Sequence, residues 1–236
     1  MKEEMLKTST RQRVVITIIA VIMLVSIIAS YALIIQNSQS STQAANDASK
    51  LIAKYESEYN DAISKIPDAS SAYFSDFAKF TSRISAYNEV SANAGALHTE
   101  DLKEGTGRVL TDGDYNYLAF YIGWCPDETV FDSTLDNAKN PTKFKSVLTG
   151  SENLIEGWLL GVVGMKLGGV RELTIPSELA YKDGEICGGT NKPLKFIVMP
   201  VENTGALAEV AKAADTARTK LQYAYYGIDY ESLNEE

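Results

Sequence analysis

The hydrophobic and polar positions of this chain change texture four times. Residues 14–35 read VVITIIAVIMLVSIIASYALII, twenty-two residues without a charge. At about 1.5 Å rise per residue this stretch can cross a hydrocarbon core of roughly 30 Å, and it predicts a transmembrane helix. A cleaved signal peptide, with Ser30-Tyr31-Ala32 as its small-x-small site, would carry an apolar region of only about 7 to 15 residues. The anchor is therefore the preferred reading. Residues 36–49 are rich in Ser, Gln, Asn and Ala, which suits a solvated spacer.

The apolar period then becomes helical. Ile52, Tyr55, Tyr59, Ile63 and Ile66 form one stripe, and after Pro67-Asp68 a second runs Tyr73, Phe77, Phe80, Ile84, Tyr87. Each predicts an amphipathic helix with one face to bury, against its neighbour, the following domain, a second copy of the chain or a client protein. Small residues at 91–95 end the second stripe, which places a domain boundary near residue 96.

From residue 97 to 203 the pattern is that of a sheet. Strands are predicted at 107–110, 115–124, 129–132, 171–175 and 194–199, all enriched in β-branched and aromatic residues. Period-two alternation puts Tyr117, Ala119 and Tyr121 on one face of their strand, and Leu194, Phe196 and Val198 on one face of theirs. Between them, residues 154–165 (LIEGWLLGVVGM) are apolar nearly all round, so a helix there must be wrapped by other structure. Gly157, Gly161 and Gly164 each cost roughly 1 kcal/mol of helix propensity against alanine, which close approach to a neighbouring backbone would offset. After Asn203-Thr204-Gly205 a tail helix is predicted, with Leu207, Val210, Ala214, Ala217 and Leu221 on one stripe. The tyrosines at 223, 225, 226 and 230 read as a packed helix terminus.

Charge adds orientation and excludes one class of partner. The net charge is -9, but Lys2, Lys7, Arg11 and Arg13 against Glu3 and Glu4 make residues 1–13 basic by +2, leaving -11 on the remainder. The positive-inside rule puts that basic end in the cytoplasm and everything after residue 35 outside. An acidic body without a basic patch argues against nucleic acid. Cys125 and Cys187 both fall in the external part, where a disulfide can persist; the sequence leaves open whether they pair or stay as free thiols. His98, the one histidine, has no ligand pattern around it, so no metal and no cofactor is expected.

No arrangement for acid/base or nucleophilic chemistry is visible: there is no Gly-x-Ser-x-Gly, phosphate loop or Cys/His pair. What remains is a series of motifs in order: GTGRVLTDGD, FYIGW, VFDST, NLIEGWLLGVVGMKLGGVRELTIPSELAY and PLKFIVMPVE. Taken singly, their rings read as core aromatics of a small barrel. As a set they resemble the FKBP-type peptidyl-prolyl cis-trans isomerases over residues 97–203.

That resemblance implies an α+β fold, an antiparallel half-barrel sheet wrapped around one short helix. It also implies a pocket for proline: Trp158 as floor, Tyr121, Phe131 and Phe196 as walls, and Phe144 and Leu154 at the rim. The Ile155 N–H would hold a substrate carbonyl, Tyr181 would direct its hydroxyl at the rotating amide, and Asp132 would sit beside it. The chain departs from the family's pattern after Tyr181. Lys182 stands where a glycine is usual, and the lip at 182–193 (KDGEICGGTNKP) lacks the common Ile-Pro-Pro run, leaving Ile186 as its apolar candidate. This affects substrate preference and macrolide affinity rather than the floor.

The expected organisation is a cytoplasmic tail (1–13), a transmembrane helix (14–35), a helical stalk (36–96), the isomerase domain (97–203) and a C-terminal helix and tail (204–236). The expected function is Xaa-Pro isomerisation in exported or surface proteins. The alternatives are a non-catalytic proline-peptide-binding or holdase module, or a scaffold that forms a homodimer through stalk and tail.

Overall fold

The computed structural model describes residues 39–234. The predicted membrane span at 14–35 lies outside them, and among the described residues no helix is long and apolar enough to cross a membrane. The chain forms two compact units, one of residues 59–216 and one to which residues 39–58 and 217–234 belong.

The larger unit is built on an antiparallel sheet with β1 (His98–Lys103), β2 (Tyr117–Trp124), β3 (Val130–Ser133), β4 (Leu148–Thr149), β5 (Val170–Ile175) and β6 (Leu194–Glu202). Its order is β1-β5-β6-β2-β3, with β4 paired to β2. The long central pair β2–β6 runs from Tyr117 opposite Glu202 to Trp124 opposite Lys195. β1 and β4 escaped the sequence reading because β1 is mostly exposed and polar and β4 has two residues. The predicted strand at 107–110 is reduced to a bridge between Val109 and Lys166.

Alternation along β2 gives the sheet two faces. Tyr117 and Ala119 keep the shared face predicted for them, and they join Leu194, Phe196 and Val198 in one cluster with Trp158 and Val162. The last two come from the short helix α4 (Glu156–Val162), which follows α1 (Gln39–Ser64), α2 (Ile66–Ala78) and α3 (Glu89–Ala94) in the chain. Leu118, Phe120, Ile122 and Trp124 point the other way, into a cluster with Ile66 and Phe77 of α2 and Leu207 and Ala211 of α5 (Gly205–Tyr225). Hydrophobic side chains thus cover both faces, which is why α2 was predicted to be amphipathic.

Close approach explains two of the three glycines in the α4 region. A Cβ on Gly157 would lie 2.2 Å from Ile175 Cγ2, and one on Gly161 would lie 2.8 Å from Leu173 Cδ2, so both let the helix sit down on β5 side chains rather than on backbone. Gly164 lies beyond the helix at φ 81°, a left-handed turn position. Arg171 of β5 then secures the helix end: its guanidinium donates to the carbonyls of Gly161 at 2.8 Å and Val163 at 3.1 Å while pairing with Asp101 at 2.6 Å.

Two boundaries differ from expectation. α1 already begins at Gln39, inside the predicted spacer, because a run of Ser, Gln, Ala and Asn tolerates a helix even where composition suggests a linker. The second stripe does not continue to Tyr87. α2 stops at Ala78, a 3-10 turn follows at Thr81–Arg83, and the chain is extended at Ile84 and Asn88 before α3 begins. Phe80, Ile84 and Tyr87 nevertheless pack on the core, so a helix-like spacing was produced by an irregular segment.

In the smaller unit Tyr55 is fully buried and donates to Asp229. Lys220 bonds Glu58 at 3.1 Å and Glu231 at 3.0 Å, Lys54 pairs with Glu231 at 2.8 Å, and the Tyr223 and Tyr230 rings meet at 5.4 Å. Tyr225 reaches α1 by donating to Glu56 at 3.0 Å, but Tyr223, Tyr225 and Tyr226 are exposed, so the terminus is packed only in part.

Candidate active site

Four rings form a box on the α4 side of the sheet. Trp158, only 2% exposed, meets Tyr121 at 5.4 Å and Phe196 at 5.6 Å, both edge-on; Phe196 meets Phe131 at 5.5 Å, again edge-on. Edge-to-face packing suits the ring quadrupoles and fixes each ring against its neighbour. The indole is pinned from below, since its Nε1–H donates to the Tyr117 hydroxyl at 3.1 Å. Leu154, Ile155, Tyr181, Ile186 and Cys187 are half-buried against the same cluster. Eight of the ten predicted site residues therefore come together here, and Asp132 joins them through its bond to Tyr121.

The tenth does not. Phe144 was expected at the rim, but it is 1% exposed on the opposite face of the sheet, stacked on Phe120 at 3.8 Å and touching Phe74 and Phe77. Its bridge to Leu135 sets the register of this segment, and side chains one position apart point to opposite faces. Phe144 is a core residue.

Polar groups around the box divide into used and unused. The Tyr121 hydroxyl donates to the Asp132 carboxylate, which also accepts from the Ser133 N–H at 2.8 Å. Asp132 is thereby held at the mouth, exposed, on β3 next to Phe131. Burial pushes the Tyr121 phenol far above its ordinary value, and the bond to Asp132 adds to the effect; burial likewise raises Tyr181, with the Asp132 charge contributing. By contrast, neither the Tyr181 hydroxyl nor the Ile155 N–H has a hydrogen-bond partner among the described residues. Ile155 is extended at the N-cap of α4, so its N–H precedes the helical ladder.

Sequence reasoning missed two contributors and left a third open. Gly123 lies on β2 beneath the box, where a Cβ would stand 2.6 Å from Phe131 Cζ and 2.7 Å from Phe196 Cε1; its absence lets those rings meet. A glycine inside a strand was the available signal. Tyr117 supports the indole, and nothing in the sequence alone pairs it with Trp158.

The third contributor is the Cys125–Cys187 disulfide, with Cα atoms 5.6 Å apart, which resolves the alternative left open above. Cys187 and Gly188, at φ 56° and 72°, form the tip of a two-residue hairpin whose flanks, Ile186 and Gly189, exchange hydrogen bonds at 2.8 and 3.1 Å. The disulfide ties that tip to the end of β2. Lys182 adopts φ 53°, the left-handed conformation that a glycine at this position would take without steric cost.

An antiparallel sheet packed on one short helix, with an aromatic box between them, fits a site that binds an apolar ring. Comparison with known proteins agrees. Residues 110–199 match the profile of the FKBP-type peptidyl-prolyl cis-trans isomerases. The FK506-binding protein of Neisseria meningitidis serogroup A is 39% identical over 108 residues, 46% of this chain and 94% of that protein. FK506-binding protein 4 of Neurospora crassa is 45% identical over 104 residues, 44% of this chain and 21% of that longer one. The solved structure of AtFKBP13 aligns with 44% of this chain and 89% of its own at 30% identity, with a TM-score of 0.34. The chain belongs to the FKBP-type peptidyl-prolyl cis-trans isomerase family, and it is an enzyme of that class.

Proposed function

We propose that this isomerase accelerates Xaa-Pro rotation in exported or surface proteins, with the box of Tyr121, Phe131, Trp158 and Phe196 as its proline pocket. The carrying observation is that four packed rings stand beside two donors, the Ile155 N–H and the Tyr181 hydroxyl, that have no hydrogen-bond partner among the described residues.

Rotation about an amide bond has a barrier of about 18 to 20 kcal/mol because resonance must be broken. The twisted amide is less polar than the planar one, so an apolar cavity closed by Trp158 favours it over the ground state. In this reading Leu154 and Ile186 form the rim and the Ile155 N–H fixes a carbonyl of the peptide. Tyr181 donates to the carbonyl of the turning amide, while Asp132 holds the Tyr121 hydroxyl and faces the moving dipole. Lowering the barrier by roughly 7 kcal/mol in this way would accelerate rotation about 10⁵-fold.

The compartment is part of the proposal. Residues 14–35 anchor the chain with the basic residues 1–13 in the cytoplasm, and the Cys125–Cys187 bond supports an oxidising exterior. The test is refolding of a proline-limited protein by residues 39–236, a fragment that retains the Ile66 and Phe77 packing. Catalysis abolished by Trp158→Leu is the expected result. A folded fragment without catalysis would overturn it. Tagging at either end of the full chain in cells, followed by protease protection, tests the orientation.

A further inference from the structure

Residues 85–94 precede the stretch that matches the family profile, 110–199, yet they are bound to the edge of the site repeatedly. The Trp124 indole N–H donates to the Ser85 carbonyl at 3.0 Å, and the Tyr87 N–H donates to Pro126 at 2.9 Å. The Tyr87 hydroxyl donates to the Pro193 carbonyl at 2.9 Å, where the lip rejoins β6. Glu89 holds the Lys192 ammonium at 2.9 and 3.0 Å.

Asn93 goes further, because its amide joins two segments that carry site residues. Its Oδ1 accepts from the Ser177 N–H at 2.8 Å, and its Nδ2 donates to the Asn191 carbonyl at 3.1 Å. The Ser177 carbonyl accepts from the N–H groups of Ala180 and Lys182, both at 3.0 Å, so this contact holds the turn that delivers Tyr181. The Asn191 N–H donates to Lys182 at 2.7 Å and closes the base of the lip that carries Ile186. None of the α3 residues is buried, and Val90 is 76% exposed. A capped helix that adds nothing to the core, while its Glu89 and Asn93 both reach the lip, is placed there for the contacts it makes.

We infer that Asn93, backed by Tyr87 and Glu89, is a positioning residue that sets the distance between Tyr181 and the Ile186 lip and thereby selects the residue preceding proline. This rests on the assignment of Tyr181 and Ile186 to the site made above. Loss of the bridge loosens the lip without touching the floor, so its effect should fall on binding of side chains that reach the lip.

The experiment uses the full chain in detergent and peptides that differ only in the residue before proline, Ala, Leu or Phe. Asn93→Ala is expected to raise KM for Leu and Phe about fivefold relative to Ala, the worth of a lost hydrogen bond, with any fall in kcat from the loosened Tyr181 turn common to the three peptides. Tyr87→Phe, which removes one lip contact and leaves Ser177 alone, should shift the same ratio in the same direction, and it carries the test if Asn93→Ala does not fold. Unchanged selectivity, or an equal loss for all three peptides, would overturn the inference. Trp158→Leu is the separate control: full turnover there removes the site assignment itself, whereas lost turnover with unaltered Asn93→Ala selectivity removes only the role of Asn93.

Discussion

Two aromatic clusters lie back to back across β2, and they are built from the same materials. Tyr121, Phe131, Trp158 and Phe196 pack at 5.4 to 6.4 Å on one face. Tyr73, Phe74, Phe77, Phe120 and Phe144 pack at 3.8 to 5.9 Å on the other. The second is sealed by α2 and serves stability. The first is covered by one helix of seven residues and by half-buried side chains such as Tyr181 and Ile186, and keeps hydroxyl, carboxylate and amide groups at its mouth. Ring content does not distinguish a pocket from a core; what covers the rings does.

The sharpest way to break the comparison is to hollow out the sealed cluster. Phe144→Ala should cost about 3 to 5 kcal/mol of stability, read by chemical denaturation, while activity per folded molecule is retained. A rim role for Phe144 predicts the reverse pattern. Next, Tyr181→Phe should lower kcat/KM about tenfold, some 1.4 kcal/mol of transition-state stabilisation, with stability nearly unchanged. Loss of peptide binding in proportion would instead favour a module that only holds proline segments.

A smaller effect is expected at the lip. Lys182→Gly relieves a left-handed conformation and should stabilise the protein by about 0.5 to 1 kcal/mol in thermal unfolding, small because glycine also loses more backbone freedom on folding. Finally, pH should have no effect over a wide range. Burial raises both Tyr121 and Tyr181 above the ordinary phenol value near 10, so each keeps its proton through alkaline pH. A kcat/KM that stays flat from about pH 7 to 9.5 is the expected profile, and a tyrosine titrating within it would show that burial does not hold that phenol's proton.

Much of the pocket was legible because its residues follow strand and helix periods. Tyr117, Ala119 and Tyr121 declared one face of β2, and the apolar run around Trp158 declared a wrapped helix. Phe144 was misplaced because it lies in an irregular segment between β3 and β4, where one position of register decides the face and no periodicity reports it. Tyr87 was misread as helical because an extended segment can return its side chains to the core at the same spacing as a helix. The roles of Gly123, which showed only as a glycine inside a strand, and of Asn93 were hidden for a different reason. Their roles consist of contacts with residues distant in the chain, Phe196 for the one and Ser177 and Asn191 for the other, and no local pattern encodes such pairs.

The link between Cys125 and Cys187 also has a topological consequence. It closes a covalent ring spanning a separation of 62 residues, and Phe131, Asp132, Ile155, Trp158 and Tyr181 all lie on that ring, with Tyr121 and Phe196 just outside its two ends. In a chain-entropy picture, closing such a ring is worth about 4 kcal/mol against the unfolded state. It also makes the pocket tolerant of damage. A backbone cut in the mostly exposed stretch at 136–143 would leave both pieces in one molecule, with the lip still tethered to the strand that carries its opposite wall.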